Sequence, residues 1–158
     1  MPKSKVLFIC THNSARSQMA EEFLNHMSPD RFQASSAGLE PTEVNPLVIE
    51  VMAEIGLDLS GKNTTSVFDL YRQGKLFDYV ITVCDEAGEA GCPIFPGVTH
   101  RLRLPFPDPA EAKGTHKEQL AQIREIRDAI KDKLKEFTAW VDNGAAPSSL
   151  GDRWEVVA

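Results

Sequence analysis

Residues 6–17 read VLFICTHNSARS, and the order of these residues decides the fold. Val6, Leu7, Phe8 and Ile9 form an apolar run of the kind that makes a strand buried on both faces of a parallel sheet. From Ser17 to His26 the pattern changes, with Met19, Phe23 and Met27 at helical spacing around Ala20, Glu21 and Glu22. Cys10 to Arg16 is therefore a tight loop between a central strand and a helix N-terminus. The main-chain N–H groups of such a loop point inward and, with the positive end of the helix dipole, make a nest for an oxyanion. Thr11, His12, Asn13, Ser14, Ala15 and Arg16 supply those amides, and the Arg16 guanidinium can close the nest with a fork onto two oxygens. A thiol at the mouth of the nest lies in a positive field that favours thiolate, which makes Cys10 a nucleophile near neutral pH. Reading Cys10 as an ordinary core cysteine leaves the arginine six positions later unexplained.

The rest of the composition bounds the setting. A chain of 158 residues with 42% hydrophobic and 25% charged residues is expected to form one domain, residues 1–158, around a single core. A net charge of −6 argues against nonspecific binding to nucleic acid or anionic membranes, so any anion site must make its positive potential locally. The N-terminal apolar run is too short for a signal peptide or membrane span. The expected location is the cytoplasm, where three cysteines are read as chemical rather than as a disulfide framework. No apolar stripe calls for a dimer, and a monomer is expected.

Taken in order, the chain alternates strands and helices. Phe32 to Ala37 reads as a second strand ended by Gly38, and Pro46 to Ile55 as a helix capped by Gly56. Ser60 to Thr65 is turn-like, and Val67 to Leu76 is a short helix with Leu70 and Tyr71 inward. Tyr79 to Val83 is a third buried strand ending in Cys84. Asp85 to Gly97 reads as a mobile loop. Thr99 to Leu104 is a fourth strand, Pro105 to Pro109 a rigid loop holding Asp108, and Leu120 to Val141 a long amphipathic helix closed by Gly144. The tail from Ala145 is loop-like, with Trp154, Val156 and Val157 expected to dock on the body. This pattern predicts an α/β three-layer sandwich on a central four-stranded parallel sheet. Ligands in such folds bind at the carboxyl ends of the strands, where Cys10, Cys84 and Asp108 should gather.

Cys10, Arg16, Ser17 and Asp108 resemble the active site of the low-molecular-weight tyrosine phosphatase superfamily, through CTHNSARS at residues 10–17 and the Asp-Pro of PFPDP at 105–109. The resemblance implies that Cys10 attacks a tetrahedral oxyanion held by Arg16 and the loop amides. It implies that Asp108 protonates the leaving oxygen and that Ser17 donates a hydrogen bond to the Cys10 sulfur. Cys84 and Cys92, in CDEAGEAGCP at 84–93, resemble the thioredoxin-coupled arsenate reductases of that superfamily. That likeness implies a relay in which Cys10 attacks arsenate, Cys84 releases arsenite by forming Cys10–Cys84, and Cys92 moves the disulfide to Cys84–Cys92. Thioredoxin, recharged by thioredoxin reductase and NADPH, would supply the electrons with no bound cofactor or metal. Phosphate and sulfate would compete with arsenate.

Eight helical residues would separate the Cα atoms of Cys84 and Cys92 by about 12 Å, beyond the roughly 7 Å a disulfide tolerates. The segment is therefore expected to curl or unfold on oxidation, which Gly88 and Gly91 would permit. Two other functions compete: a low-molecular-weight tyrosine phosphatase whose extra cysteines protect Cys10, and a redox-sensing anion-binding module. A zinc site of Cys84, Cys92 and His100 has spacings unlike those of structural zinc sites. Asn13 and Ser36 match positions that line a potassium site in some of the resembling reductases. The turn SGKNTTS at 60–66 lacks the aspartate found there, and Lys62 stands ready to supply the cation's charge instead. Asn13 is also suited to a left-handed turn in the loop, and the His12 side chain is expected to point away from it. His100, Arg101 and Arg103 read as a solvated basic face.

Overall fold

The computed structural model describes residues 3–84, 95–98, 100–144 and, for their backbone pairing, 155–157. The elements run β1 (Ser4–Cys10), α1 (Arg16–Met27), β2 (Phe32–Gly38), α2 (Pro46–Ala53), α3 (Val67–Arg72), β3 (Tyr79–Cys84), β4 (His100–Phe106), α4 (His116–Asp142) and β5 (Glu155–Val157). One sheet has the order β2-β1-β3-β4-β5. Its first four strands are parallel, and β5 runs antiparallel to β4. The four-stranded parallel sheet is the one the sequence implied. The fifth strand departs from the loop expected there, because three residues in a tail carry too little pattern to show.

The strand periodicity divides the core in two. Val6, Phe8 and Cys10 of β1 join α1, α2 and α4 in the larger cluster. Leu7 and Ile9 face the other way, against Val67 of α3, Phe77, Val80 and Phe95. Alternate residues of one strand thus fill both outer layers, which is why that stretch is apolar throughout.

Local chemistry sets the helix bounds. Asn45 caps α2 by accepting from Leu47 N–H at 2.9 Å, with Pro46 at the first helical position. Gly56 ends the following turn at φ 82. Thr115 and Glu118 form a reciprocal capping box that starts α4. Helix α3 is shorter than its apolar pattern suggests. Gly74 at φ 72 donates to Tyr71 O, and Lys75 N–H reaches Leu70 O, closing the helix early. Tyr71, expected inward, is consequently exposed, its ring edge resting on Phe95. Strand β4 runs on through Pro105 and Phe106, where a loop was expected. Proline is tolerated there because the β3–β4 register shifts between Thr82 and Cys84. Among the described residues no helix is long and apolar enough to cross a membrane.

Candidate active site

Strand order places a crevice. The chain leaves β1 toward β2 but leaves β3 toward β4, so the connections diverge at the β1–β3 boundary and a crevice opens outside the carboxyl ends of those strands. Cys10 ends β1 and Cys84 ends β3, and both are buried. The register shift beside Cys84 accompanies its packing in the same cluster as Cys10.

The loop after Cys10 is held open by its own carbonyl groups. The carbonyls of Cys10, Thr11, His12 and Ser14 accept from the N–H groups of Leu39, Glu40, Thr42 and Asn45, at 3.3, 2.8, 3.1 and 2.8 Å. With its carbonyls drawn outward to residues 39–45, the loop turns its amides toward the centre. Asn13, at φ 54, is the non-glycine residue that takes the left-handed turn this requires. Ala15 at the N-terminus of α1 makes no side-chain cap, as suits first-turn amides that face an anion. The His12 side chain points away as expected, with Nδ1 3.0 Å from the Glu40 carbonyl.

Side chains beneath the loop fix that shape. Asn13 Nδ2 donates to Ser17 Oγ at 2.8 Å, while its Oδ1 accepts from Thr65 N–H at 2.9 Å and from Gln18 Nε2 at 3.2 Å. The Ser17 oxygen is thus engaged as an acceptor, and its own O–H remains the group that could donate toward sulfur. Ser36 Oγ donates to Glu21 Oε1 at 2.8 Å, and the Lys62 ammonium pairs with the other oxygen of Glu21. A lysine charge therefore sits on the carboxylate beside Ser36, where the sequence suggested it could.

Arg16 is 2% exposed, an unusual position for a guanidinium. Its Nη1 donates to the Phe106 carbonyl at 3.1 Å, and Nη2 lies 3.7 Å from Asp108 Oδ2. The other oxygen, Asp108 Oδ1, accepts from Ala110 N–H at 2.9 Å and caps a short 3-10 turn. Asp108 therefore presents one held oxygen and one facing the arginine, beside a cleft of about 300 Å³ between this turn and α4.

The thiols depart from the simplest expectation. A hydrogen bond with Cys84 and, next, burial push the Cys10 thiol well above the ordinary range, while Arg16 and the Thr11 amide pull it down. Sequence reading counted the positive field and missed the neighbouring thiol, which disfavours ionising both sulfurs together. Cys92 and the rest of 85–94 lie outside the described residues. Among the described residues no group of three or more His, Cys, Asp or Glu side chains is arranged to hold a metal. Cys84 pairs with Phe106 and His100 with Tyr79, at opposite ends of β4, so a shared zinc site is ruled out for those two. His100, expected on a solvated face, is half-buried and stacks on Tyr79, with centroids 5.5 Å apart, against the edge of Trp140.

Three contributors escaped the sequence reading. Residues 39–45 act through main-chain donors, which leave no mark on side-chain pattern. Gly38 lies under the loop, where an added Cβ would come within 2.8 Å of Asn13 N and Thr11 O. Gln18 sits in a helix whose apolar spacing drew attention elsewhere.

Residues 5–146 match the family model of the low molecular weight phosphotyrosine protein phosphatases. The arsenate reductase of Shouchella clausii is 37% identical over 138 residues, covering 87% of this chain and 96% of its own. A solved arsenate reductase in the phosphate-binding state superposes with a TM-score of 0.65 at 27% identity, over 86% of this chain and 97% of that one. The thioredoxin-dependent arsenate reductase of Corynebacterium glutamicum superposes with a TM-score of 0.59 at 30% identity, over 87% of this chain and 63% of that one.

Proposed function

The chain belongs to the low molecular weight phosphotyrosine protein phosphatase family, and from that premise we propose that it reduces arsenate to arsenite with its own thiols. The observation that carries this reading is that Cys84, at the end of β3, packs in the same buried cluster as Cys10 and hydrogen-bonds its thiol. A phosphatase needs one cysteine, because hydrolysis of its thiophosphate completes the cycle. Taking arsenic from the pentavalent to the trivalent state needs two electrons, which two thiols becoming a disulfide provide.

Arsenate enters the nest, where the loop amides and Arg16 hold its oxygens. Cys10 attacks arsenic and one arsenate oxygen leaves as water, with its proton from Asp108. Charge building on the oxygens in that step is offset by donors already oriented. Cys84 then attacks the sulfur of Cys10, and the electron pair of the S–As bond passes to arsenic. Arsenite leaves, and a Cys10–Cys84 disulfide remains. Cys92 attacks Cys84, freeing Cys10 as a thiol and forming Cys84–Cys92, which thioredoxin reduces by exchange. The named thioredoxin dependence of the Corynebacterium relative supports that donor, and the arsenate reductases at 37% identity support the substrate.

The test is arsenite production from arsenate with thioredoxin, thioredoxin reductase and NADPH, with phosphate-ester hydrolysis followed in parallel. Multiple turnovers that vanish in both Cys84→Ser and Cys92→Ser are expected. Strong ester hydrolysis without arsenite would overturn the reading in favour of a phosphatase with protective cysteines.

A further inference from the structure

Gln18 is 1% exposed in the first turn of α1, where an apolar side chain would meet no polar requirement. Its Nε2 lies 3.2 Å from Asn13 Oδ1 and 3.2 Å from the Asn63 carbonyl. Two acceptors facing one atom fix that atom as the amide nitrogen. Its Oε1 is buried with no hydrogen-bond partner among the described residues. A buried amide that leaves its acceptor unmet is retained for its donor.

That donor adds a second tie between two pieces of chain about fifty positions apart in sequence. One is Asn13, held left-handed at the centre of the nest. The other is the 62–65 turn, anchored by Lys62 on Glu21 and by Gly38 N–H on the Thr65 carbonyl at 2.8 Å. Thr65 N–H also reaches Asn13 Oδ1, so Asn13, Gln18 and the turn close a ring of hydrogen bonds under the loop. Freed from that ring, the Asn13 side chain could rotate and its backbone relax from the left-handed region, carrying inward-facing amides out of line.

We propose that Gln18 is a positioning residue, whose side-chain amide clips the 62–65 turn to Asn13 and so presets the oxyanion nest before any anion arrives. This rests on the reading of the Cys10–Arg16 loop as an oxyanion site. Gln18 touches neither the reacting thiols nor the anion, so it should act on oxyanion affinity through the nest amides.

The experiment uses the full chain, with inorganic phosphate as the probe, in Gln18→Met and Gln18→Glu. Methionine keeps the volume without either polar atom, and glutamate keeps the shape but sets a carboxylate oxygen against the two acceptors. Phosphate is expected to bind Gln18→Met about five- to tenfold more weakly, as for one lost net hydrogen bond. Gln18→Glu should lose more, and should recover part of the deficit relative to wild type at low pH, where its protonated carboxyl donates. A lowered melting temperature with unchanged phosphate affinity would show a purely structural residue and overturn the proposal. Should Gln18→Met not fold, the pH dependence of Gln18→Glu decides alone, and a flat ratio to wild type overturns it. Failure of the wild-type protein to bind phosphate would instead count against the oxyanion site itself.

Discussion

Arg16 and Asp108 face each other across the mouth of the nest, Nη2 to Oδ2 at 3.7 Å, with the arginine 2% exposed and the carboxylate side chain 23% exposed. The separation is longer than a tight hydrogen bond, so the proposed reaction can give the two groups separate duties. In the proposed reaction Arg16 would neutralise the bound oxygens, and Asp108 would deliver a proton to the one that leaves.

Asp108→Asn should therefore separate binding from chemistry. Phosphate affinity should hold or rise, because a negative charge beside the anion is removed. Arsenate reduction and ester hydrolysis should both fall by about 10²–10⁴, the usual worth of a positioned general acid. Steady-state kinetics beside phosphate titration checks this, and equal losses in both would show that Asp108 acts through structure.

Arg16→Lys keeps the charge but loses the fork and the bond to the Phe106 carbonyl. A loss of about 10²–10³ in kcat/KM is expected, as for removal of an oriented oxyanion donor. A lysine variant with near wild-type kcat/KM would mean that charge alone suffices.

The Cys10 thiol gives a pH prediction in two parts. Its hydrogen bond with Cys84 is the largest cause of its upward shift, so Cys84→Ala should bring the pH midpoint of Cys10 alkylation down and speed alkylation at pH 7. Stability follows the same sign. A folded-state value above the ordinary 9.0 favours the folded state fully below that pH. That contribution fades as the pH climbs above it, because the unfolded thiol ionises first. Wild type should therefore lose stability above about pH 9 more steeply than Cys84→Ala, as read by urea midpoints across pH.

Gly38→Ala places a methyl 2.8 Å from Asn13 N and Thr11 O, both backbone atoms of the nest. Because the obstruction is main chain, the loop itself must shift, and a displacement of that order can cost about 10²-fold in rate. Activity should collapse while the helical circular dichroism signal persists. Retained activity would mean that the loop has room to slide.

Lys62→Met strands the Glu21 carboxylate, whose side chain is 12% exposed. A stability loss of roughly 1–3 kcal/mol is expected, below that for a fully buried pair because Lys62 keeps about a third of its side chain in solvent. Adding Glu21→Gln should return part of that loss, and chemical denaturation of the two variants tests the coupling.

Much of this could be read in the chain, and the exceptions share a cause. Val6 to Ile9, Tyr79 to Val83 and the Leu120–Val141 periodicity each state an element and its buried face, because solvation acts on side chains directly. Cys10 and Arg16 were legible for a related reason: their spacing fits a strand-to-helix turn and little else. What failed to show lies in the main chain or in a neighbour distant in sequence. The donors of residues 39–45 carry no side-chain code, Gly74 ended α3 where apolar spacing suggested more helix, and Cys84 altered Cys10 from 74 positions away.

Strand β5 has a consequence for how this molecule meets others of its kind. It pairs Arg101, Leu102 and Arg103 of β4 with Val157, Val156 and Glu155, and it lies beyond residues 5–146, which match the family model. Without it, β4 would offer an open ladder to any passing strand, the usual start of unwanted self-association. Residues 155–157 thus serve as a selvedge, finishing the β4 border of the sheet.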